Sequence, residues 1–316
     1  MKACTLYIVI PCYNEQEVLN ETASRLKVKF NALLDKNIIS NKSKILFVND
    51  GSKDNTWSII EELNSNDDIF CGVSLAHNKG HQTALLAGLF SAYKNKPDAV
   101  ISIDADLQDD INAIDEMLKA FYDGNDVVYG VRSNRDSDTF FKKLTAESFY
   151  KFMEFMGVET IFNHADYRLL SFRALDSLLQ YNESNLYLRG IVPNIGYKSS
   201  TVEYARSERF AGESKYPLKK MFALAWEGVT SFTTKPLSLI LVLGFVFSFV
   251  AFLGLIALII LTCCAVNFND ILWLTAAIVL MCGIQLISLG IIGQYVGKGY
   301  IESKHRPRFF IDKEIL

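Results

Sequence analysis

Residues 99–109 read AVISIDADLQD, an apolar run that ends in two aspartates separated by one alanine. The first 130 residues repeat this arrangement, because short β-branched runs alternate with stretches whose apolar residues recur at helical spacing. A βαβα alternation predicts an α/β fold, with a mostly parallel sheet and helices on both faces. The predicted strands are Leu6–Ile10, Ile45–Asn49, Cys71–Leu75, Ala99–Ile103 and Asp126–Gly130, and the predicted helices lie near 15–34, 54–64, 81–93 and 111–122.

Polar residues directly follow four of these predicted strands. The four segments are PCYNE at 11–15, NDGS at 49–52, HNKG at 77–80 and DAD at 104–106. Because ligands bind at the carboxyl ends of the strands in such sheets, their coincidence predicts a binding site at this edge.

Asp104 and Asp106 are candidates for holding a metal ion. Side chains two residues apart on a strand project to the same face, and two carboxylates there can share one divalent cation that also bridges phosphates. Gln108 can add a neutral oxygen. A solvated acidic loop without a ligand is the alternative. For Asp50 we favour contact with a nucleoside over helix capping, whereas for Asp54 we favour capping.

Two basic clusters are candidates for binding phosphate groups. Arg132 and Arg135 follow a predicted strand, and a second cluster comprises Arg206, Arg209 and Lys215. Guanidinium groups bind phosphate oxygens in a fixed fork, so two clusters suit two phosphorylated substrates. Nonspecific attraction to anionic lipid is the alternative.

The composition indicates a membrane-bound protein. The chain has 316 residues, a net charge of −3 and 50% hydrophobic residues, and its mean hydropathy is +0.17. Between Pro236 and Gly297 the only charged residue is Asp270, which excludes an ordinary cytosolic enzyme. The charge balance argues against a nucleic-acid partner. Six cysteines without a CxxC pair favour a reducing setting over a zinc site or disulfides.

The apolar block splits into two segments, about 237–264 and 271–297. At about 1.5 Å per residue, each can cross a hydrocarbon core of roughly 30 Å. Lysines and arginines flank the pair but are absent from the linker AVNFND. The positive-inside rule therefore predicts a hairpin in the inner (cytoplasmic) membrane, with the catalytic domain and both termini on the cytoplasmic side.

The sequence thus divides into four parts. A cytoplasmic catalytic domain at 1–217 precedes an amphipathic juxtamembrane helix at 218–235, the hairpin at 236–297 and a basic cytoplasmic tail at 298–316. An ordinary core helix is the alternative for 218–235, but its position before the apolar block favours the interface. Gly283, Gly290 and Gly293 would let helices approach closely, either within the hairpin or in a homo-oligomer.

Several motifs together resemble the family-two nucleotide-sugar glycosyltransferases. They are PCYNE at 11–15, VNDGSKDNT at 48–56, NKGHQTALLAG at 78–88 and DADLQD at 104–109. With YGVRSNR, ADYRLLS and RSERFAGESKY, the chain is similar to the polyprenyl-phosphate glycosyltransferase branch, which includes dolichyl-phosphate mannose synthases and bactoprenol glucosyltransferases. The resemblance covers essentially the whole chain and implies an A-type glycosyltransferase fold.

The resemblance also implies roles for individual residues. Asp106, Asp166, Arg132 and Arg135 would be catalytic, with Asp166 facing the reacting sugar and the two arginines binding the lipid phosphate. Asp104, Asp106 and Gln108 would surround Mg²⁺ or Mn²⁺ on the donor diphosphate. The remaining donor-binding residues would be Pro11, Tyr13, Glu15 and Asp50 at the nucleoside, and Arg206, Arg209 and Lys215 on a mobile loop over the phosphates. Lys79 departs from the family pattern, where many relatives have an aromatic residue, and His81 is interpreted as a helix-start residue.

The implied reaction is inverting transfer of a sugar to polyprenyl phosphate. Glucose from UDP-glucose and undecaprenyl phosphate are the favoured substrates, with the product serving cell-surface glycans such as the lipopolysaccharide O-antigen. GDP-mannose, UDP-GlcNAc or a modified sugar remain open as donors. A processive polysaccharide synthase, a transporter and a non-catalytic membrane scaffold are the other classes considered. The absence of QxxRW and the small number of predicted spans argue against the first two, and the intact carboxylates against the last.

Overall fold

The computed structural model describes residues 3–133, 164–183, 188–205, 230, 235–240, seven single positions between 242 and 256, and 270–316. The strands within these residues are β1 (Leu6–Cys12), β2 (Lys44–Asn49), β3 (Phe70–Leu75), β4 (Ala99–Ser102), β5 (Val127–Arg132), β6 (His164–Ser171), β7 (Ser199–Tyr204) and β8 (Ile311–Ile315). The helices are α1 (Leu19–Asp35), α2 (Thr56–Asn66), α3 (His81–Lys94), α4 (Ala113–Tyr122), α5 (Phe172–Leu179), α6 (Leu188–Asn194) and α7 (Asp270–Ser303).

These strands form one sheet in the order β7-β5-β6-β4-β1-β2-β3-β8. β1 lies parallel to both β2 and β4, with Val9 opposite Leu46 on one side and Ser102 on the other. β6 runs antiparallel between β4 and β5, and β7 lies parallel to β5. The carboxyl ends of β1, β2, β4, β5 and β7 therefore meet at one edge, where β6 begins.

The core lies between this sheet and the helices that cover it. Every residue of β1 is buried, as expected for a strand covered on both faces. Gly88 lets α3 pack closely on the sheet, because a Cβ atom there would lie 2.5 Å from Val9 Cγ1 and 2.5 Å from Val48 Cγ2.

The predicted α/β class with a mostly parallel sheet is confirmed. Each predicted strand and helix of the first 130 residues overlaps an observed one, but α1 begins at Leu19 rather than near residue 15. The residues before it are held in turns, because the amide of Glu15 donates to Thr56 Oγ1 and that of Gln16 to Asp54 Oδ2. The predictions did not include β6, β7, β8, α5 or α6.

The chain divides into two compact units. One comprises Met1–Lys151, Glu159–Met221 and Arg306–Leu316, and the other Phe152–Val158 and Phe222–His305. Within the part of the chain that the structure describes, no helix combines the length and apolar character needed to cross a membrane. The predicted amphipathic helix at 218–235 lies almost entirely outside the described residues.

The C-terminal residues add an edge strand to the catalytic sheet. β8 pairs antiparallel with β3, and the amide of Ala76 donates to the carbonyl of Phe310 at 3.0 Å. Ion pairs join Lys313 to Glu61 at 3.5 Å and Glu314 to Lys94 at 3.3 Å. The sequence predicted only a basic tail at 298–316, because the pairing partner of this short strand is remote in the chain.

Candidate active site

The carboxylate loop, residues 104–109, leaves the end of β4 at the carboxyl edge of the sheet. Its exposure alternates: Asp104, Asp106 and Gln108 are half-buried, whereas the residues between them are buried. The hydroxyl of Thr22 on α1 donates to the carbonyl of Ala105 at 2.8 Å. All three predicted metal ligands are therefore partly accessible to solvent.

His81, the first residue of α3, contacts this loop. Its Nε2 lies 2.9 Å from Asp104 Oδ1, and its Nδ1 lies 3.9 Å from Asp166 Oδ2. Burial lowers the pKa of His81, but the two carboxylates outweigh burial and raise that pKa to about 8. Burial alone would raise the pKa of Asp104. The protonated imidazole of His81 outweighs burial and holds that pKa below its usual value. His81 therefore links two of the predicted site residues.

Asp166, near the start of β6, lies in a buried network of charges. Its carboxylate accepts from Arg168 Nη2 at 2.6 Å, from Arg189 Nη2 at 3.1 Å and from Gln82 Nε2 at 3.0 Å. Burial alone would raise its pKa, but Arg189, Arg168 and His81 hold the pKa of Asp166 well below its usual range. Asp166 is therefore ionised at neutral pH and fixed in position.

Arg132 ends β5 and contacts Asp109, the last residue of the carboxylate loop. Its Nη2 lies 3.3 Å from Asp109 Oδ1, and its Nε lies 3.3 Å from the hydroxyl of Tyr204 at the end of β7. The side chain of Arg132 is 27% exposed, whereas that of Asp109 is 1% exposed. The guanidinium is thus held from inside the protein and remains accessible from outside.

Asp50 is buried and anchors the loop before α3. Its carboxylate accepts from the amides of Lys79 at 2.7 Å and Gly80 at 2.9 Å, and from Asn78 Nδ2 at 3.0 Å. Burial raises its pKa, and the two amides partly offset that effect. Gly51 permits the close approach, because a Cβ atom there would lie 2.5 Å from the amide nitrogen of Asn78. The hydrogen bonds to Asp50 thus fix the shape of this loop. The Lys79 side chain is exposed.

The other predicted nucleoside contacts lie at the end of β1. Pro11 is buried within the strand opposite Val48, Tyr13 is 40% exposed just beyond it, and Glu15 is half-buried. The amide of Asn14 donates to Ser52 Oγ at 3.0 Å, which joins the loops after β1 and β2.

Four predicted phosphate-binding residues, Arg135, Arg206, Arg209 and Lys215, lie outside the described residues. The described site nevertheless contains groups that the sequence reasoning missed, namely Gln82, Arg168 and Arg189, together with the contact between His81 and Asp104. The spacing of Asp166 and Arg168 in ADYRLLS was an available signal, because side chains two apart in a strand share a face. No local signal pointed to Arg189, which meets Asp166 only in three dimensions.

The carboxylate loop fits a divalent cation that is shared with a diphosphate. Among the described residues, no group of three or more His, Cys, Asp or Glu side chains is placed to hold a metal ion by itself. Magnesium is commonly bound by one or two carboxylates together with substrate phosphates. The half-buried Asp104 and Asp106, with the amide of Gln108, offer hard oxygen atoms of this kind.

A mostly parallel sheet that carries paired carboxylates and an arginine at its carboxyl edge agrees with the nucleotide-sugar glycosyltransferase arrangement that the sequence resemblance implies. The chain belongs to glycosyltransferase family 2, since the profile described as "Glycosyl transferase family 2" matches residues 7–179.

Curated relatives match nearly the whole chain. "Uncharacterized glycosyltransferase YkoT" of Bacillus subtilis (strain 168) is 47% identical over 312 residues, which cover 98% of this chain and 92% of that protein. The "Bactoprenol glucosyl transferase" of Shigella phage SfV is 38% identical, covering 97% and 98% of the two chains. The "Prophage bactoprenol glucosyl transferase homolog" of Escherichia coli (strain K12) is 37% identical with the same coverage. The similarity thus extends well beyond residue 179.

Proposed function

We propose that the protein transfers glucose from UDP-glucose to the phosphate of undecaprenyl phosphate, with inversion at the anomeric carbon. The observation that carries this proposal is the arrangement at one edge of the sheet. The loop after β4 pairs with Arg132 through Asp109, and its Asp104 pairs with His81, which also faces Asp166. A divalent cation held by the carboxylates would bind the anionic donor there, and Arg132 would bind the anionic acceptor. The full-length similarity to proteins named bactoprenol glucosyl transferase supports the choice of acceptor and sugar.

The acceptor phosphate needs orientation more than activation. A phosphate monoester has a second pKa near 6, so it is largely dianionic at neutral pH and is already a nucleophile. Its oxygen attacks the anomeric carbon from the face opposite the nucleoside diphosphate, so an α-linked donor yields a β-linked product. Arg132 binds and orients this phosphate, and Arg135 assists it.

Asp166 acts as a fixed charge that faces the reacting sugar. The pKa of Asp166 is held well below its usual range by its two arginines and His81, so it is a weak proton acceptor. Because the nucleophile requires no strong general base, this environment suits the reaction. Arg168 and Arg189 hold the carboxylate in place, and Gln82 connects it to α6 through the amide of Leu188 at 3.1 Å.

The leaving diphosphate is stabilised by positive charge. Asp104, Asp106 and Gln108 would hold Mg²⁺ or Mn²⁺, which neutralises negative charge on the diphosphate when it is bound. Arg206, Arg209 and Lys215 approach the same phosphates, while Pro11, Tyr13 and Glu15 contact the nucleoside. Asp50 serves the nucleoside site by shaping the loop that precedes α3.

We further propose that residues 236–297 form a hairpin in the cytoplasmic membrane, with both ends on the cytoplasmic side. One compact unit contains residues on both sides of 222–305 in sequence, so both ends of the apolar block lead into the same folded unit. Many large apolar side chains of α7 are exposed, for example Leu286 at 70% and Val296 at 66%, whereas Ile284 and Ile291 are half-buried. Lipid would cover this surface and keep the enzyme beside its acceptor.

A donor panel tests the proposed reaction. Protein purified in detergent is given undecaprenyl phosphate, Mg²⁺ and labelled UDP-glucose, GDP-mannose, UDP-GlcNAc or UDP-galactose, and label in the organic phase is counted with and without EDTA. EDTA-sensitive transfer from UDP-glucose alone is the expected result. Transfer from another donor would replace the sugar, and no transfer by folded protein would overturn the proposal.

A further inference from the structure

Asp109, the last residue of the carboxylate loop, forms a closed triangle with two residues from neighbouring strands. The hydroxyl of Tyr204 donates to Asp109 Oδ1 at 2.5 Å, and Arg132 Nη2 donates to the same oxygen at 3.3 Å. Arg132 Nε lies 3.3 Å from the Tyr204 hydroxyl. The triangle joins the ends of β5 and β7 to the loop that carries Asp104 and Asp106.

The burial of the triangle is uneven. Tyr204 is 3% exposed and Asp109 is 4% exposed, whereas the Arg132 side chain is 27% exposed. The contacts with Tyr204 and Asp109 use Nε and Nη2 of a guanidinium that has five N–H donors in a rigid fork. Nε and Nη2 of Arg132 are therefore held in place, and the remaining N–H donors of its guanidinium can bind an anion.

The buried carboxylate is costly for the fold. Within the described chain, Asp109 Oδ2 is buried and has no hydrogen-bond partner. A buried acceptor without a partner loses its hydration without compensation, and such atoms in native proteins call for an explanation. An apolar residue would fill this interior position without that cost, so the carboxylate is explained by what it holds, the guanidinium of Arg132.

We propose that Asp109 and Tyr204 are positioning residues that orient Arg132 toward the acceptor phosphate and fix its distance from the carboxylate loop. The inference rests on the proposed function in one respect, namely that Arg132 binds that phosphate. Asp109 and Tyr204 do not touch either substrate themselves. Substitution of either residue should therefore weaken binding of the acceptor and leave binding of the nucleotide sugar unchanged.

Tyr204→Phe removes one hydroxyl group and with it two sides of the triangle. We expect the KM for undecaprenyl phosphate to rise about tenfold, as for the loss of a hydrogen bond to a charged group. The KM for the nucleotide sugar should stay within about twofold of the original. Asp109→Asn, which keeps the shape of the side chain, should change the same constant and serves as the second variant if Tyr204→Phe does not fold.

Tyr167→Phe is the matched control. Tyr167 is also buried, its hydroxyl donates to the carbonyl of Asp110 at 3.1 Å, and its ring packs edge-on against Tyr204 with centroids 5.3 Å apart. It thus loses a comparable hydrogen bond beside the same loop without a contact to Arg132. Its KM for the acceptor should not change, and an equal rise in both variants would show that Tyr204 is merely structural.

A double-mutant cycle tests whether Tyr204 acts through the arginine. In an Arg132→Ala background, Tyr204→Phe should have no further effect on acceptor affinity, whereas independent effects would multiply. Additive effects, or an unchanged KM in both Tyr204→Phe and Asp109→Asn, would overturn the inference.

Direct binding of undecaprenyl phosphate without donor separates this inference from the proposed reaction. If the unaltered protein binds the lipid but transfers no sugar, the proposed reaction is wrong and the binding series still decides the roles of Asp109 and Tyr204. If it binds no lipid phosphate, both are overturned.

Discussion

The carboxylate of Asp166 and the guanidinium of Arg168 lie 2.6 Å apart on β6, and their side chains are 6% and 3% exposed. Both charges are thus removed from water in the interior of the sheet, at the point where β6 meets the carboxyl edge. Arg189 reaches the same carboxylate from α6. The site is therefore built around an aspartate that stays ionised, which sets its acid stability.

We predict that Asp166→Asn lowers the free energy of unfolding by about 3 kcal/mol at pH 7, because it leaves a buried arginine without its ionic partner. The folded-state pKa of Asp166 lies below the unfolded value, so its contribution is complete above pH about 4 and is lost as the pH falls further. The difference between the two proteins should therefore shrink in acid. Denaturant unfolding at pH 7, 4 and 3 measures this, with Glu21→Gln, which breaks an exposed pair with Arg25, as a near-neutral control. A difference independent of pH would contradict the assignment.

Asp106→Asn should reduce sugar transfer at least a hundredfold and leave the fold intact, because a half-exposed carboxylate is replaced by a neutral amide of the same shape and the negative charge that attracts the cation is lost. Organic-phase label and circular dichroism are the two measurements. Asp115→Asn is the control, since Asp115 pairs with Lys29 on the surface of α4 and should be dispensable. Near-normal transfer by Asp106→Asn would remove Asp106 from the proposed metal site.

Gly88→Ala should destabilise the catalytic unit by about 1–3 kcal/mol, because the added methyl group would overlap Val9 and Val48. Ser91→Ala on the same helix is the control. Among the described residues, the buried hydroxyl of Ser91 has no hydrogen-bond partner, so its removal should be neutral or stabilising. Thermal unfolding of the two variants compares them directly, and equal midpoints would refute the packing argument.

Deletion of residues 311–316 should lower the thermal midpoint and promote aggregation. It removes β8, exposes the edge of β3 and leaves Gly72 without the packing of Ile315. Lys313→Ala removes an exposed ion pair with Glu61 and a contact over the Trp57 ring, but it keeps β8 and should behave much like the original protein. Light scattering during heating distinguishes them, and a deletion variant as stable as the full chain would show that β8 contributes little.

Local patterns were sufficient to predict the first part of the fold. The strands around Val9, Leu46 and Val100 are continuous apolar runs, and the helices between them have apolar residues at regular helical spacing. These two patterns were enough to predict the positions of the strands and of the helices. β6 escaped the prediction because Asp166 and Arg168 interrupt its apolar pattern, although they are buried as a pair. β8 escaped because its five residues carry three charges and pair with a strand from the opposite end of the chain.

The candidate site was predicted in part for the same reason. Asp104 and Asp106 could be recognised because their spacing after a strand is itself informative. The interpretation of His81 as a helix-start residue is confirmed, yet its contact with Asp104 depends on how α3 lies on the sheet. Asp50 was expected to face a nucleoside. That it accepts hydrogen bonds from Asn78, Lys79 and Gly80 could be seen only from the geometry of the loop. The predicted roles of the remaining residues stay predictions.

The position of β8 has a consequence for how the protein is made. The ribosome completes β1, β2 and β3 early, but the strand that covers the edge of β3 is synthesised only after residues 76–310. Throughout the synthesis of residues 76–310 that edge has unpaired backbone groups, which are a site for incorrect pairing with other chains. The edge of β3 is therefore covered only after residues 311–315 have been synthesised, and a chain that stalls before residue 311 lacks β8.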